Sequence, residues 1–351
     1  MSTRAASKAL LALALTVSAL VSACQARPPT PAPAAGNRVR LADGRRLNLN
    51  CSGEGSPTVI LEGGYGATSE AWVRIQPAVA ETTRVCSYDR AGYGLSDPGP
   101  LPRDGLAIAT DLDHLLWHAN IRGPFIVVGH SAGALYVRLF ANLRPHDVVG
   151  MVLVDPSVEH QDQRFAEVFG PGAGSVAPLR ARALRCLLAA QKQQLPSADP
   201  QLVACSATPK SPPANRQNQN QKPNSLEPWQ TEISELDTLW GATSDEIDAG
   251  RKSYADMPLI VLTADGTYAK APQPAATEAA QLWWRLHSEL AAKSTRGSNQ
   301  LVTNSSHLMM FDRADAIIAA IRSVIAQTRE RQAPATGARD ANNQAIKRVV
   351  R

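Results

Sequence analysis

The fold of this chain is decided by one ten-residue stretch, Phe125-Ile126-Val127-Val128-Gly129-His130-Ser131-Ala132-Gly133-Ala134. Its apolar first half predicts a buried strand, and the segment after it has helical periodicity. The G-x-S-x-G pattern between them leaves room for a very tight strand-to-helix turn at Gly129 and Gly133. Such a turn exposes the Ser131 hydroxyl and directs helix amides toward it. We therefore predict that Ser131 is a nucleophile and that the two glycines form its turn.

On both sides of this stretch, short apolar runs alternate with helix-period segments. This alternation, after an initial pair of strands, predicts an α/β protein with a mostly parallel, doubly wound sheet. The expected helices include residues 69–80, 104–119, 132–143, 277–293 and 314–327. The expected strands are residues 38–41, 46–51, 58–62, 84–88, 125–129, 148–154, 259–263 and 300–303.

Composition and charge exclude some classes of protein. Hydrophobic residues make up 44% and charged residues 19% of the 351 residues, which is a globular balance. The net charge of +5 comes from the ends of the chain, because residues 24–328 hold 28 bases and 29 acids. A nucleic-acid-binding protein needs a concentrated basic face, and none is expected in this neutral body.

Three further motifs resemble those of the α/β-hydrolase superfamily, and the resemblance covers roughly residues 38–327. They are Val59-Ile60-Leu61-Glu62-Gly63-Gly64, with Glu62 where histidine is usual, Tyr88-Asp89-Arg90-Ala91-Gly92-Tyr93-Gly94-Leu95-Ser96-Asp97, and Asn304-Ser305-Ser306-His307. The resemblance implies an α/β-hydrolase fold with an eight-stranded sheet and a helical cap. It also implies that His307 is the catalytic base, and that the backbone N–H groups of Gly64 and Ala132 form an oxyanion hole.

Two residues are candidates for the carboxylate that orients His307. Asp155 follows the strand 148–154, where some members of the superfamily carry the acid. Asp265 follows the next strand, where most members carry it, but two residues before the usual position, which Thr267 occupies. Both lie at the carboxyl edge of the sheet, where ligands bind in open α/β folds. We favour Asp155 and keep Asp265 as the alternative.

The remaining sequence suggests a division into segments. Residues 38–155 and 258–328 are expected to form the hydrolase core, and residues 156–257 a cap insertion that includes a polar stretch rich in Pro, Asn and Gln. Residues 329–351 lack apolar periodicity, so we expect a disordered basic tail.

The N-terminus has the features of an export signal. Arg4 and Lys8 precede an apolar run, and Val21-Ser22-Ala23-Cys24 resembles the lipobox of bacterial lipoproteins. We expect residues 1–23 to be a signal peptide, Cys24 to be lipidated, and residues 24–37 to be a Pro-rich tether. The protein would then be anchored to a membrane of the cell envelope. An ordinary secretory signal and a retained anchor are the alternatives.

Export into an oxidising compartment favours disulfides among the other four cysteines, which allow three pairings. The superfamily strand order places the second and fourth strands side by side, and this implies a bridge between Cys51 and Cys86. Cys186 and Cys205 would then pair within the cap. Four free thiols are the alternative. Neither the spacing of the cysteines nor that of the histidines predicts a metal site.

The residues together predict a serine hydrolase that acts on a small-molecule ester or related acyl substrate. An aminopeptidase or acyltransferase of the same fold is the enzymatic alternative, and a non-catalytic binding protein is the alternative from another class. We expect no cofactor, because the glycines after residue 62 do not form a dinucleotide fingerprint. Neither the substrate nor the oligomeric state follows from the sequence.

Overall fold

An eight-stranded sheet crosses the protein in the order β1-β2-β4-β3-β5-β6-β7-β8. It is seen in a computed structural model that describes residues 37–202, 205 and 224–332. Strand β2 pairs antiparallel with β1 and β4, and the other neighbours are parallel. This confirms the predicted fold class. The strands are β1 Asn37–Arg40, β2 Arg46–Ser52, β3 Thr58–Glu62, β4 Val85–Tyr88, β5 Phe125–His130, β6 Val148–Val154, β7 Leu259–Ala264 and β8 Gly297–Val302.

Helices cover both faces of the sheet, with one 3₁₀-helix at Ser69–Trp72. The α-helices are α1 Gln76–Ala80, α2 Gly105–His118, α3 Gly133–Leu143, α4 Gln161–Phe169, α5 Ala177–Gln191, α6 Glu227–Leu239, α7 Ala242–Ala249, α8 Ala275–Ala291, α9 Met309–Asp312 and α10 Ala314–Gln332. Among the described residues, no helix is both long enough and apolar enough to cross a bilayer.

The central strands are almost completely buried and mostly apolar because each of their faces meets a different core. Val59 and Leu61 of β3 belong to the core with α1 and α10, whereas Ile60 between them belongs to the core with α2, α3 and α8. Side chains alternate between the two faces of a strand, so a strand covered on both faces has no polar side. The packing on both faces therefore fixes the positions of the strand ends from which the loops at the carboxyl edge begin.

The structure corrects three expected boundaries. The helix predicted at 69–80 is broken, because Pro77 lacks an N–H and fits only the first turn of a helix, here α1. Asn37, predicted as the last residue of the tether, belongs to the sheet, because it pairs in β1. The tail predicted as disordered from residue 329 is helical up to Gln332. Arg329 donates to backbone carbonyls of residues 56 and 82, and Arg331 pairs with Asp256.

The insertion between β6 and β7 is partly integrated into the core. Its helix α7 places Thr243 and Glu246 against the start of α2, where they accept the backbone N–H groups of Gly105 and Leu106 (both 2.8 Å). These amides have no partner within their own helix, so α7 completes the end of α2. The signal peptide, Cys24 and the rest of the tether up to residue 36, residues 203–204 and 206–223 of the insertion, and residues 333–351 of the tail lie outside the described residues.

Two disulfides are present among the described residues, and both pairings match the prediction. Cys51 and Cys86 lie directly opposite each other on β2 and β4, with their Cα atoms 4.1 Å apart. Cys186 on α5 is bonded to Cys205, with a Cα separation of 5.3 Å. The first bridge joins neighbouring strands of the sheet, and the second joins parts of the insertion.

Candidate active site

The turn between β5 and α3 has the geometry predicted for a nucleophile. Ser131 has a φ of +52°, in the left-handed region that non-glycine residues rarely adopt. A Cβ atom at Gly129 would lie 2.7 Å from Gly133 O, and one at Gly133 would lie 2.5 Å from Gly63 O. Neither contact is tolerable, so both glycines are required. The turn thus holds Ser131 in a strained conformation at the carboxyl edge of the sheet.

His307 lies beside Ser131. It follows β8 in a loop, and its Nε2 is 3.0 Å from Ser131 Oγ, while its Nδ1 is 2.7 Å from Asp155 Oδ2. A carboxylate can only accept, so Nδ1 carries the proton and Nε2 is free to accept the hydroxyl proton. Sequence-distant residues at three strand ends thereby form one hydrogen-bond chain.

Asp155 is fully buried and holds four hydrogen bonds. Its Oδ1 accepts Ala264 N–H (2.9 Å) and Trp283 Nε1–H (2.8 Å), and its Oδ2 accepts the Thr267 hydroxyl (2.6 Å) besides His307. Burial by itself opposes ionisation, but the hydrogen bonds from His307 and Thr267 and the electrostatic influence of the nearby imidazoles outweigh it and lower the pKa of Asp155. The acid is therefore a carboxylate at neutral pH.

The other candidate acid, Asp265, is placed differently. Its carboxylate accepts the backbone N–H groups of Asn304 (2.9 Å) and Ser305 (3.0 Å), in the loop that leads to His307. It makes no hydrogen bond to the His307 ring. Of the two candidates, the structure brings only Asp155 to the ring. Thr267, at the position where most relatives would carry the acid, donates to Asp155 instead.

The residues expected to form an oxyanion hole lie close to the serine. A Cβ atom at Gly64 would be 3.1 Å from Ser131 Cβ, which is closer than side chains normally approach. The absence of a side chain at Gly64 therefore lets its backbone lie next to Ser131. Ala132 is the N-cap of α3, and the amides at a helix N-terminus have no partner within the helix. The main chain of both residues thus lies next to Ser131.

Two buried histidines support the site without belonging to the hydrogen-bond chain. His130 Nε2 lies 2.8 Å from the backbone carbonyl of His307, and burial lowers the pKa of His130 to about 3. His287 Nε2 lies 2.9 Å from the carbonyl of Pro156, next to Asp155, and burial lowers the pKa of His287 to about 4. Both rings are neutral near pH 7, so each carries one proton, which its Nε2 donates to a backbone carbonyl. The carbonyl that His130 contacts belongs to His307, and the one that His287 contacts belongs to the residue after Asp155.

A cavity of about 360 Å³ opens above Ser131, between the sheet and the insertion. Helices α5 and α6 form its far wall. No Asp, Glu, Lys or Arg is among the described residues around it. Those residues are Tyr65, Ser131, Ala132, Ser157, Gln161, Gly174, Ser175, Val176, Leu179, Leu236, Leu239, Trp240, Thr267, Tyr268, Trp283 and His307.

The donors that hold the acid could not be predicted from the sequence. Trp283 and Thr267 have no motif of their own, and they meet Asp155 only because α8 and the loop after β7 fold over the end of β6. One signal was available, since a hydroxyl at the usual acid position indicates that the acid comes from elsewhere. Within the described ranges, no group of three or more His, Cys, Asp or Glu side chains is placed to hold a metal ion.

The chain is similar in sequence to a known family and to several curated proteins. A sequence model of the alpha/beta hydrolase family matches residues 59–320. The chain is 35% identical over 106 residues to the Bacillus subtilis protein named "Uncharacterized protein YqjL", covering 30% of this chain and 42% of that one. It is 36% identical over 113 residues to an "AB hydrolase superfamily protein" of Gibberella zeae, covering 31% and 35%. The chain thus spans less than half the length of these relatives.

Solved structures show the same fold at low identity. The epoxide hydrolase CorEH aligns with a TM-score of 0.55 and 16% identity, covering 83% of this chain and 98% of that chain. A thermophilic esterase from Thermogutta terrifontis aligns with a TM-score of 0.52 and 18% identity, covering 83% and 99%. At these identities the likeness concerns the fold alone.

Proposed function

Because the chain belongs to the alpha/beta hydrolase family, we propose that it is a serine hydrolase that cleaves carboxylic ester bonds through Ser131, His307 and Asp155. The observation that carries this proposal is the unbroken hydrogen-bond chain from Ser131 Oγ through His307 to the buried carboxylate of Asp155. This order of hydroxyl, imidazole and carboxylate is the arrangement that activates a serine for acyl transfer.

The geometry supports a two-step reaction. Ser131 Oγ attacks the ester carbonyl carbon while its proton moves to His307 Nε2, and the carbonyl oxygen becomes an oxyanion that accepts the N–H groups of Gly64 and Ala132. The C–O bond to the leaving group then breaks, and the proton on Nε2 goes to the departing alcohol. A water molecule, deprotonated by the same Nε2, attacks the acyl-enzyme and releases the acid and Ser131.

The cavity supports a neutral substrate. Leu179, Leu236, Leu239, Trp240 and Tyr268 give it an apolar and aromatic wall. No carboxylate among the described residues lines it to bind the free ammonium group of a peptide, and this favours an ester over an aminopeptidase substrate. Burial of an apolar acyl chain contributes about 0.8 kcal/mol per CH₂ group. We therefore propose an uncharged, mainly apolar acyl group.

The test is chemical labelling together with turnover. Wild-type protein is expected to react with a fluorophosphonate probe and to hydrolyse p-nitrophenyl esters of some acyl length. Ser131→Ala should abolish both, because it removes the attacking oxygen, while Ser157→Ala, which changes another hydroxyl lining the same cavity, should keep both. Ester turnover by cleanly purified Ser131→Ala protein would refute the mechanism. Labelling without turnover of any ester would refute only the substrate class, and wild-type protein without labelling would favour a binding protein.

We also propose that the protein is exported and held to a membrane through lipidated Cys24. The two disulfides support export, since such bonds persist in oxidising compartments. Cells fed an alkyne-bearing fatty acid should label the wild-type protein and not Cys24→Ala, which should also leave the membrane fraction. An unlabelled wild-type protein in the soluble fraction would indicate an ordinary secretory signal.

A further inference from the structure

Arg90, in the loop after β4, occupies a central position that the proposed reaction does not use. Its side chain is almost completely buried and lies between the rings of Tyr93 and Tyr136, 4.9 and 5.3 Å from their centroids. A buried guanidinium needs an acceptor for each of its five N–H donors. The acceptors of these N–H groups therefore identify the segments that Arg90 holds in place.

All five donors have partners, and the partners come from two regions. Nη1 donates to Glu62 Oε1 (2.7 Å) and to the carbonyl of Gly63 (2.8 Å), and Nη2 donates to the carbonyl of Gly64 (2.9 Å). The remaining bonds, from Nε (3.0 Å) and Nη2 (3.2 Å), reach the carboxylate of Glu235 on helix α6 of the insertion. Arg90 thus joins the segment after β3 to the helix that walls the cavity.

The two carbonyl contacts determine where the neighbouring N–H groups point. A peptide unit is planar and trans, so its N–H is directed opposite to its C=O. When Arg90 holds Gly63 C=O, it also orients Gly64 N–H away from itself, and holding Gly64 C=O does the same for Tyr65 N–H. Glycine has little conformational preference of its own, so an unheld Gly63–Gly64 pair would sample several orientations.

We propose that Arg90 is a positioning residue for the oxyanion hole, holding the Gly63–Gly64 and Gly64–Tyr65 peptides with their N–H groups toward Ser131. Through Glu235 it also links this hole to the helix that closes the cavity. Glu62 serves as the second anchor of the guanidinium at the end of β3. The inference rests on the proposed acyl-transfer function, because it concerns the charge that develops on the carbonyl oxygen.

The test replaces Arg90 while keeping its charge. Lysine has three donors at a single point and cannot reach two carbonyls and two carboxylates together. If Arg90→Lys frees even one N–H of the hole, kcat should fall by about 10²-fold, the usual effect of losing one such donor. KM should stay within about twofold, since a neutral ester in its ground state gains little from the hole. The inhibition constant of an alkylboronic acid, whose adduct with Ser131 places an oxygen in the hole, should rise as much as kcat falls.

The matched control is Arg138→Lys. Arg138 is equally buried and pairs with Glu159 (2.6 Å), but it touches neither glycine carbonyl. The Arg138→Lys variant should lose thermal stability, but its kcat and its affinity for the boronate should not fall in parallel. A folded Arg90→Lys protein that keeps wild-type kcat and boronate affinity would overturn the inference, as would one whose losses are no greater than those of Arg138→Lys.

A second variant decides the question if Arg90→Lys does not fold. Glu235→Gln keeps Arg90, Glu62 and an acceptor oxygen, and it should give a smaller kcat loss with a parallel loss of boronate affinity. A loss in KM alone would contradict the inference. The rate of fluorophosphonate labelling separates the two proposals: if wild-type protein labels but hydrolyses no ester, only the ester assignment fails, and the labelling rate of the variants still decides on Arg90. A wild-type protein that neither labels nor binds boronate refutes both.

Discussion

The carboxyl ends of the neighbouring strands β6 and β7 each carry an aspartate, and the structure uses the two in different ways. Asp155, after β6, is completely buried and bonded to the His307 ring. Asp265, after β7, is exposed and bonded to the backbone that leads to His307. Both act on the same histidine, one on its ring and one on its loop.

This difference shows that the surroundings of a carboxylate decide its role. Around Asp155, Ala264, Thr267 and Trp283 supply donors in a dry environment, where a charge–charge interaction is strong. Asp265 is surrounded by solvent, which weakens such an interaction. Its contacts are instead those of a residue that shapes a turn. Four predictions test this contrast, from the largest expected effect to the smallest.

Asp155→Asn should lower kcat by about 10⁴-fold, with little change in KM. The Oδ1 position is surrounded by two N–H donors, so the amide oxygen of the asparagine must sit there and its NH₂ must face His307. Nδ1 then accepts, and the proton moves to Nε2, which can no longer take one from Ser131. Steady-state ester hydrolysis measures the loss. An Asp155→Asn enzyme within tenfold of wild type would exclude Asp155 as the acid.

The pH dependence of stability should reveal the buried surroundings of Asp155. His287, in contact with the residue after Asp155, has a pKa of about 4, whereas an unfolded histidine takes up its proton near 6.5. Between these values the unfolded chain binds more protons, so the free energy of unfolding should fall as the pH drops from 6.5 to 4, by about 3 kcal/mol in total. Urea unfolding of His287→Gln should lack this contribution. An unchanged slope in His287→Gln would contradict the prediction.

Asp265→Asn should reduce kcat by about 10-fold. An amide oxygen still accepts one backbone N–H of the His307 loop, so the loop loses one charge-assisted bond, which contributes about 1.5–3 kcal/mol when buried and less in solvent. The measurement is the same ester assay, run beside Asp155→Asn. If Asp265→Asn is the inactive variant and Asp155→Asn the active one, the assignment of the acid is reversed.

Thr267→Val should have the smallest effect, a loss of kcat of about 5-fold, as expected for one hydrogen bond of about 1 kcal/mol. The change is nearly isosteric and removes only the hydroxyl that donates to Asp155 Oδ2. Because that donor helps to lower the pKa of Asp155, the variant should also lose activity at a higher pH than wild type on the acid side. A Thr267→Ser variant should restore both properties, and its failure to do so would point to packing instead.

The parts of the fold that follow local rules could be predicted. Val127 and Val128 lie in an apolar run of a fully buried strand, and such runs occur where both faces of a sheet are covered. Gly129 is demanded by its contacts with Gly133 and Ala134, and Gly133 by its contact with Gly63 just after the neighbouring strand β3, and the short pattern records both. The bridge between Cys51 and Cys86 followed from the strand order that the family resemblance supplied. These features are either local or tied to the order of the sheet.

The helix expected at residues 69–80 shows where local reasoning ends. Its apolar spacing continues through Trp72 and Ile75, but a new helix begins near Pro77. The spacing therefore predicts which side chains are buried, but it does not predict whether the helix is continuous. The wall of the cavity likewise follows from the packing of α5 and α6. The periodicity of a helix gives the width of its apolar face and not the partner of that face.

The sequence by itself determined that the chain forms a doubly wound sheet and that a serine and a histidine lie at its carboxyl edge. Only the tertiary structure decided which aspartate reaches the His307 ring, and that Arg90 lies against Gly63 and Gly64. The physical reason is that a motif records contacts between residues close in the chain. The choice between Asp155 and Asp265 depends on donors contributed by β7, its following loop and α8, which are brought together only when the sheet and its helices have packed.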